Sequence, residues 1–401
     1  MTTQPLVIQW TPSSFFGWGV YGINLALTWT RDQVGSVLFS ADLNPDTVVV
    51  NPLARRLLEP VFARSREFHE TIQPFAGKSM TMAIPVLQAL GNLLLPAGLS
   101  IAKTMITGRP NVGLVFFEDP TLDAAVRNRA RGFDLIVAGS QWNRDLLNAA
   151  GITHSAFIMQ GVDPTLFHPA PRAGYLPGRF LVFCGGKLEV RKGQDLALQA
   201  FRVFRARHPE ALLVTAWHSP WPRLASGFDA NPALAPFPYD KAGRPDVIAW
   251  AMANGLPPDS VIDLGAVPNA EIPQILREMD VALCPSRCEG GTNLVAMEAM
   301  ACGVPTILSA NTGHFDLIAS SGCYPLIQQG PIPPVIATAC HGTATTGWGE
   351  SDIDEMVNAL EAVFTNPDDA AIVAARGANF MARHDWMTQN RALFRLLAPL
   401  L

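Results

Sequence analysis

Charge is scarce in this chain of 401 residues: only 16% of the residues are charged, and the net charge is −5. Because no run of Lys and Arg is long enough to attract a phosphate backbone, nucleic acid is excluded as a partner. The N-terminus has no basic segment followed by an apolar one, so a secretory signal is not expected and the protein is predicted to be cytoplasmic. No long, unbroken apolar run predicts a membrane-spanning helix.

Cysteine is also sparse. The six cysteines all lie in the second half of the chain, mostly in apolar or glycine-rich segments, and none of the pairs has the spacing of zinc ligands. Cys284 and Cys288 are separated by three residues, but no second pair or nearby His completes a site. The pattern predicts buried thiols in a reducing compartment, with disulfides as the open alternative.

Hydrophobic residues make up 49% of the chain, which is ample for a core and favours two domains. Apolar strand-like runs alternate with helical stretches in both halves, and this alternation predicts an α/β fold with two doubly wound, Rossmann-like parallel sheets. Residues 161–178 contain four prolines and three glycines and are the expected link. We expect domains at residues 1–165 and 166–375, and a C-terminal helix in 376–401 that packs back on the first domain.

Two segments of the first half raise the question of membrane contact. Residues 83–106 are the most apolar, but Gln88, Asn92 and Pro96 interrupt them, and we interpret them as a core helix followed by a loop. Residues 54–70 have a helical period and an arginine-rich face. A peripheral contact of the first domain with the inner membrane face, towards a lipid-linked acceptor, is therefore the alternative interpretation.

The stretch Gly17–Gly22 matches the G-x-G-x-x-G pattern of dinucleotide-binding folds, and Asp42 follows it. In those folds the first strand runs directly into the first glycine, whereas here residues 11–16, TPSSFF, intervene. An NAD(P)-dependent oxidoreductase is therefore a minor alternative. The glycines still allow a ligand or a facing domain to approach the backbone closely, although a simple surface turn is the competing interpretation.

The densest chemical signal lies in residues 281–308, VALCPSRCEGGTNLVAMEAMACGVPTIL. A buried strand is predicted to end at Pro285, and a helix is predicted to begin near Leu294 with Asn293 or Thr292 as its cap. Between them lies a polar, glycine-rich loop. Its amides and the positive end of the helix dipole converge on one spot, which suits a diphosphate.

Charged residues surround this predicted diphosphate site. Glu289 follows the strand, where it can hold a neutral polar group, and Glu298 lies one turn into the helix, where it can bind ribose hydroxyls. Cations must balance the charge, and the strand that ends at Gly186 is followed by Lys187 and Lys192. Both lysines can neutralise a diphosphate as it leaves, and a solvated helix start is the plainer interpretation of this segment.

Taken together, these motifs resemble the retaining glycosyltransferases of family 4, which have the GT-B fold of two Rossmann-like domains that face a cleft. The resemblance rests on the segments GGKLEVRKGQD, PSRCEGG, EAMACGVPTI, GVDPTLFHP, ANTGHFDLI and DLIVAGSQWNRDLL. It implies metal-independent transfer of a sugar from a UDP- or GDP-sugar to a hydroxyl of a glycan, protein or lipid-linked acceptor, with no tightly bound cofactor. A sugar-nucleotide-binding protein without turnover and a nucleotide-sugar epimerase are the alternatives.

The resemblance also implies roles for particular residues. Glu289 would contact the donor sugar, Glu298 the ribose, and Lys187 with Lys192 the diphosphate. The other residues expected on the donor side are Gly17, Gly19, Gly186, Gly290, Gly291, Thr292, Asn293 and Leu294.

The chain departs from the family pattern at several points. Eight residues separate the two glutamates where the family has seven, which predicts a small bulge in the loop. The family often has a His at the end of a first-domain strand, whereas VGLVFFEDP offers Glu118 as the fourth candidate catalytic residue, with a turn or cap carboxylate as the alternative. Residues 217–246 form a longer insertion that either lines the base pocket or covers the surface.

Two further features are interpreted as structural. His314 lies in the loop NTGHFD and is expected at the surface, with contact to the donor as the alternative. The sequence Asp352–Asp354 imitates the metal-binding Asp-x-Asp of another glycosyltransferase fold, but Ser351 and the acids suit a helix N-terminus. No metal site is predicted.

Overall fold

A computed structural model describes residues 5–97, 103–219 and 221–401, and it divides into two compact units. The first unit comprises Met1–Asp163, Pro268–Ala270 and His384–Leu401, and the second unit comprises Pro164–Val267 and Glu271–Arg383. Residues 376–383, which we expected with the C-terminal helix, belong to the second unit.

The first unit is built on a parallel sheet, as the alternation of the sequence predicts. Its strands, with a separate parallel pair formed by β3 and β5, are β1 Leu6–Ile8, β2 Val37–Phe39, β3 Ser79–Thr81, β4 Val86–Leu90, β5 Met105–Thr107, β6 Asn111–Val115, β7 Leu135–Ala138 and β8 Ser155–Phe157. The six strands of the sheet lie in the order β2-β1-β4-β6-β7-β8. Because they are parallel, their carboxyl ends meet at one edge, where ligands of such sheets bind.

In the described part of the first unit, four α-helices connect these strands: α1 Gly17–Arg31, α2 Pro52–Ile72, α3 Ala124–Ala130 and α4 Gln141–Ala149. The amphipathic segment 54–70 is indeed helical, within α2, whose first turn is capped by Asn51 and begins with Pro52. Its apolar face is buried in the first unit, through Leu58, Val61, Phe62, Phe68 and Ile72. Contact with a membrane stays a prediction.

The prediction of a core helix in residues 83–106 is wrong. The segment contains strand β4, which is buried along its whole length between β1 and β6, and ends in β5. Residues 98–102 of the segment lie outside the described residues. A central strand that is buried on both faces has no apolar and polar alternation, so periodicity alone does not distinguish it from a buried helix.

The second unit repeats the design with another six-stranded parallel sheet, in the order β11-β10-β9-β12-β13-β14. Its strands, and a small antiparallel pair, are β9 Phe180–Gly186, β10 Ala211–Trp217, β11 Val261–Asp263, β12 Val281–Cys284, β13 Thr306–Ser309, β14 Tyr324–Leu326, β15 Gln329–Gly330 and β16 Glu350–Ser351. Its helices are α5 Gln194–Arg207, α6 Val247–Ala253, α7 Ile272–Leu276, α8 Leu294–Ala301, α9 Phe315–Ile318, α10 Pro334–Thr338, α11 Ile353–Thr365 and α12 Pro367–Met381.

The insertion of residues 217–246 is partly core. Phe228 and Phe237 are buried and pack against Trp250 of α6, with ring centroids 5.1 and 4.8 Å from it. Trp221 of the same insertion is 56% exposed. The insertion therefore combines a buried anchor with an exposed aromatic ring.

The last helix, α13 Trp386–Leu397, packs on α1 of the first unit and confirms that part of the prediction. Arg391 forms a bidentate ion pair with Asp32, with distances of 2.7 and 2.8 Å. The ring of Phe394 meets Trp29 edge-on at 4.7 Å. Polar and apolar contacts together thus fix the end of the chain on α1.

All six cysteines are free thiols, and all but Cys340 are buried, as predicted. Among the described helices, none combines the length and the apolar character that a membrane crossing requires.

Candidate active site

Three loops meet at the carboxyl edge of the sheet in the second unit. They follow β9, β12 and β13, which are neighbours in the sheet. Residues 187–193 follow β9, residues 285–293 follow β12, and residues 310–314 follow β13. Parallel strands place the three loops side by side, so residues that are more than a hundred positions apart can form one site.

The loop after β9 lies close against the loop after β12. Gly186 ends β9, and a short helical turn, Val190–Lys192, leads to Gly193. Gly193 has a φ of +70°, and a Cβ atom on it would lie only 2.1 Å from the carbonyl oxygen of Pro285. Only glycine fits this contact, which lets α5 begin directly beside the loop after β12.

Five charged residues from these two loops form what we name the clamp cluster: Lys187, Glu189, Arg191, Lys192 and Glu289. Within the loop after β9, the carboxylate of Glu189 forms ion pairs with Lys187 Nζ at 2.9 Å and with Arg191 Nη2 at 3.2 Å. Between the two loops, the carboxylate of Glu289 forms ion pairs with Lys192 Nζ at 2.7 Å and with Arg191 Nη1 at 3.2 Å. Three cations and two carboxylates leave the cluster with one net positive charge.

Glu289 is buried within this cluster, with 4% of its surface exposed. The Ser286 hydroxyl donates to its Oε1 at 2.6 Å. Burial opposes the charged form, but the positive charges of Lys192 and Arg191 outweigh it and lower the pKa of Glu289 to about 2. Glu289 is therefore an ionised side chain at neutral pH.

The helix that carries the second glutamate begins as predicted. α8 starts at Leu294, and Asn293 caps it by accepting a hydrogen bond from the amide of Ala296 at 3.4 Å. Asn293 adopts a φ of +67°, an uncommon conformation for a residue other than glycine. Glu298 lies one turn into α8 and is 4% exposed. The loop is thus held in an unusual local conformation at the start of the helix.

The interpretation of His314 as a surface residue is wrong, because its side chain is fully buried. His314 Nδ1 lies 3.0 Å from the carbonyl oxygen of Ser309, which can only accept, so Nδ1 carries the proton. Nε2 then accepts from the amide of Asn293 at 3.1 Å. Burial lowers the pKa of His314, which favours this neutral ring. His314 thereby fixes the cap of α8.

The glycine-rich loop itself is buried and tied to the loop after β13. The amide of Glu289 donates to Thr312 Oγ1 at 2.8 Å, and its carbonyl accepts from the amide of Gly313 at 3.0 Å. The hydroxyl of Thr292 donates to the sulfur of Met297 at 2.9 Å. The predicted donor residues that share this loop and the start of α8 are Gly290, Gly291, Thr292, Asn293 and Leu294, of which only Leu294 is half-buried rather than buried.

Sequence reasoning missed Arg191, which lies one position before Lys192 in the same charged segment. It also missed Arg287, whose buried guanidinium pairs with Asp195 at 2.8 Å on each side and with Glu350. Arg287 also donates to the carbonyl of Val190 at 2.6 Å, so it supports the turn that carries Arg191. In the sequence, an arginine in a polar loop is expected to be solvated. The burial of Arg287 with Asp195 becomes apparent only in the folded structure.

Three predicted residues lie in the first unit. The amide of Glu118, three residues after β6, donates to Asn92 Oδ1 at 2.7 Å. The neighbouring turn contact is made by Asp119, which accepts from Thr121 at 2.9 Å, and α3 is capped by Asp123. Asp119 and Asp123 thus serve the turn and the cap of α3, and the role of Glu118 stays a prediction.

Gly17 and Gly19 form the start of α1. A Cβ atom on Gly19 would lie 2.5 Å from the backbone of Ser13, whereas one on Gly17 would meet nothing within 4 Å. The residues 9–16 that separate β1 from α1 therefore fold back on Gly19. This packing accounts for one glycine of the opening motif without a ligand.

The Asp352–Asp354 sequence is a helix start. Asp352 Oδ1 accepts from the amide of Glu355 at 2.9 Å and caps α11, so the cap is Asp352 rather than Ser351.

The family comparisons cover the second half of the chain. Residues 174–323 match the family described as glycosyl transferases group 1, and residues 268–393 match family 4 glycosyltransferases in conflict systems. The two matched ranges together contain the whole of the loop after β12 and the clamp cluster.

Two relatives are mannosyltransferases. The GDP-mannose-dependent alpha-(1-6)-phosphatidylinositol monomannoside mannosyltransferase of Mycolicibacterium smegmatis is 23% identical over 70% of this chain and 66% of that protein. The lipopolysaccharide core biosynthesis mannosyltransferase LpcC of Rhizobium leguminosarum is 30% identical over 47% of this chain and 49% of that protein. The chain thus matches between about half and two thirds of the length of these relatives.

Solved structures share the fold over nearly the whole chain. HepE of Anabaena, in complex with UDP and glucose, has a TM-score of 0.62 at 16% identity and 99% coverage of both chains. Sucrose-phosphate synthase from Thermosynechococcus elongatus has a TM-score of 0.61 at 15% identity, again with 99% coverage of both. At these identities the likeness is one of architecture.

Proposed function

From the premise that this is a GT-B-fold chain similar to the family 4 glycosyltransferases, we propose that it moves a glycosyl group from a nucleoside diphosphate sugar to an acceptor hydroxyl. We propose further that the sugar keeps its anomeric configuration and that no metal ion is needed. The observation that carries the proposal is the clamp cluster, whose cations lie beside the glycine-rich loop and the start of α8.

Lys187 and Lys192 are the proposed contacts of the diphosphate. As the bond between the sugar and the diphosphate breaks, negative charge grows on the leaving oxygen. An ammonium group beside that oxygen stabilises the transition state more than the ground state, which is the requirement for catalysis. Two lysines at this position supply the positive charge that a metal ion supplies in other sites, so the proposed reaction is metal-independent.

The remaining donor contacts follow from the loop after β12. Glu298 is proposed to accept the ribose hydroxyls, and Glu289 to accept hydroxyls of the sugar. The backbone of residues 290–294 is proposed to donate to the phosphates at the positive end of α8, and Gly186 leaves room at the end of β9. From the first unit, Glu118 and the glycine pair Gly17 and Gly19 are the proposed donor-side residues.

The proposed step is a displacement on one face of the sugar. The acceptor oxygen forms a bond with the anomeric carbon while the bond from that carbon to the diphosphate oxygen breaks. The proton of the acceptor hydroxyl passes to the leaving phosphate oxygen, so no carboxylate nucleophile is required. The protein contributes positioning and charge balance.

The printed names of the relatives narrow the substrates to be tested. One mannosyltransferase uses GDP-mannose and acts on a phosphatidylinositol mannoside, and the other acts in lipopolysaccharide core biosynthesis. We therefore propose GDP-mannose as the first donor and a glycolipid or oligosaccharide hydroxyl as the acceptor. UDP-glucose is the second donor, because HepE was solved with UDP and glucose.

The test is release of nucleoside diphosphate from GDP-mannose and UDP-glucose, with and without a mannosylated lipid acceptor. We expect Lys192→Ala to lower turnover about 100-fold, because a cation at the leaving group is lost. The matched control is Lys241→Ala, an exposed lysine of the same unit, which should match the wild type. Failure of the wild-type chain to turn over any donor, or full activity of Lys192→Ala, would overturn the proposal.

One observation favours a second candidate, a sugar-nucleotide-binding protein without turnover. Glu289 is fully engaged by Lys192, Arg191 and Ser286. If this engagement persists in the donor complex, the sugar loses its carboxylate contact. Tight donor binding with no product over a wide acceptor panel would support this candidate.

A further inference from the structure

Glu289 holds the position that an anionic ligand of the clamp cluster would occupy. Its Oε1 accepts from Lys192 Nζ at 2.7 Å and from Ser286 Oγ at 2.6 Å. Its Oε2 accepts from Lys192 Nζ at 3.0 Å and from Arg191 Nη1 at 3.2 Å. An ionised carboxylate has roughly four acceptor positions, and these four hydrogen bonds fill them. In this arrangement Glu289 cannot also accept hydroxyls of a sugar.

The charge balance leads to the same conclusion. With Glu289 in place, the three cations and two carboxylates of the clamp cluster leave one positive charge. Without Glu289, the cluster keeps three cations, Lys187, Arg191 and Lys192, and one carboxylate, Glu189, so two positive charges remain. The diphosphate of a sugar nucleotide carries about two negative charges at neutral pH, one on each phosphate. The cluster therefore matches the diphosphate only after Glu289 has left it.

We infer that Glu289 is an internal counter-anion of the diphosphate site, and that Arg191 is a third cation of that site. The inference rests on the proposed function. In the exchange, phosphate oxygens take the places of the Glu289 oxygens on Lys192 and Arg191. Glu289, released from both cations, then becomes able to accept hydroxyls of the donor sugar. Binding of the diphosphate and readiness of the sugar contact are thereby coupled.

The loop that carries Glu289 is held through its backbone, since the amide of Glu289 donates to Thr312 Oγ1 and its carbonyl accepts from the amide of Gly313. These bonds do not involve the Glu289 carboxylate. The far end of the loop is fixed separately, because His314 holds Asn293 at the cap of α8. The side chain of Glu289 can therefore turn away from Lys192 while the start of α8 stays in place.

The inferred role of Glu289 can be distinguished from a sugar contact by the binding of ligands that have no sugar. A carboxylate that only contacts the sugar is irrelevant to a ligand without a sugar. A carboxylate that occupies the diphosphate site competes with that ligand. Removal of the negative charge of Glu289 should therefore strengthen the binding of nucleoside diphosphates and pyrophosphate, while it abolishes the contact required for transfer.

The experiment is calorimetric titration of the full chain with GDP, UDP and inorganic pyrophosphate. We expect Glu289→Gln to bind the preferred nucleoside diphosphate and pyrophosphate about fivefold or more tightly than the wild type, and to transfer sugar far more slowly. The matched control is Glu189→Gln, which also removes one negative charge from the cluster but leaves Glu289 on Lys192. A gain as large for Glu189→Gln as for Glu289→Gln would mean that charge alone matters, and would overturn the inference.

A milder variant protects the test against misfolding of Glu289→Gln. Ser286→Ala removes one of the four hydrogen bonds that hold Glu289 in place and leaves the charge unchanged. We expect about twofold tighter binding of pyrophosphate. Unchanged or weaker binding in both variants would refute the displacement by diphosphate. If instead the wild type and all variants bind no nucleoside diphosphate, the proposed function itself fails.

Discussion

The two units share one kind of parallel sheet, but the carboxyl edges of the two sheets carry different chemistry. In the first unit this edge gathers aromatic rings: the ring of Trp18 lies 5.3 Å from Trp10, 4.7 Å from Phe116 and 6.4 Å from Tyr21. In the second unit it gathers the ions of the clamp cluster. The sheet supplies the positions, and the loop residues decide what each edge can bind.

The comparison also shows how each edge is stabilised. Aromatic rings pack by contact and need no counter-ion, so the ring cluster around Trp18 is stabilised without ion pairs. The ionic edge is incomplete, because buried charges are tolerated only with partners and the cluster keeps a surplus of positive charge. That surplus is what makes the second edge a candidate for an anionic substrate.

The largest expected effect concerns the support of the ionic edge. Arg287→Met should lower the free energy of unfolding by about 3–5 kcal/mol, because it leaves the buried negative charge of Asp195 without its cation. Urea unfolding of both proteins measures the change. Arg56→Met is the control, since its pair with Glu59 is exposed and should contribute less than about 1 kcal/mol. Similar losses in the two variants would contradict the contrast drawn between buried and exposed pairs.

Acid should weaken the clamp cluster of the second unit before it weakens the aromatic cluster around Trp18 in the first unit. The pKa values of Glu289 and Glu189 are lowered from 4.5 to about 2. A carboxylate with a lowered pKa contributes its full stabilisation of the folded state above pH 4.5. This contribution is lost as the pH falls through about 2. The free energy of opening of residues 285–293, measured by hydrogen exchange of their amides, should fall by up to about 3 kcal/mol between pH 4.5 and about 2. Equal loss in residues 9–16 would remove the distinction between the edges.

The aromatic edge is expected to fail through packing. Gly19→Ala should lower the free energy of unfolding by about 2 kcal/mol, because the new methyl group meets the backbone of Ser13. Gly17→Ala, with open space around it, is the matched control and should change stability by less than about 1 kcal/mol. Thermal unfolding of the two variants checks the difference, and a neutral Gly19→Ala would show that Ser13 can move away.

The smallest effect concerns an aromatic ring at the ionic edge. Lys187 Nζ lies 5.2 Å from the ring centroid of Trp221, which is 56% exposed. Trp221→Ala should remove about 0.5–1 kcal/mol of interaction and weaken pyrophosphate binding two- to fivefold, roughly. Trp221→Phe keeps a ring and should lose less. Equal affinities in all three proteins would show that Lys187 needs no support from the insertion.

The fold could be predicted from sequence to a large extent. The alternation of apolar runs and helical stretches predicted the two parallel sheets, and Asn293 marked the start of α8 correctly. The short outer strands β8 and β14 cannot be predicted in the same way, because each has only three residues, which are too few to show a pattern. Residues 83–106 were assigned to the wrong element, since a strand that is buried on both faces shows no alternation.

The site could be predicted only in part. The segments that form it were identified from their charge and glycine content, whereas their mutual contacts depend on the order of the strands. Neither the burial of His314 nor the pairing of Arg191 with Glu289 can be derived from neighbouring residues. Both arise because β9, β12 and β13 are adjacent in the sheet, and adjacency of strands is a property of the whole fold.

The most direct test of the central claim is a crystal structure of the full chain with GDP or UDP bound. The account predicts phosphate oxygens within about 3.2 Å of Lys192 Nζ and of the Arg191 guanidinium, with the Glu289 side chain turned away from both. A nucleotide whose phosphates contact neither Lys192 nor Arg191, with Glu289 still paired to Lys192, would contradict it.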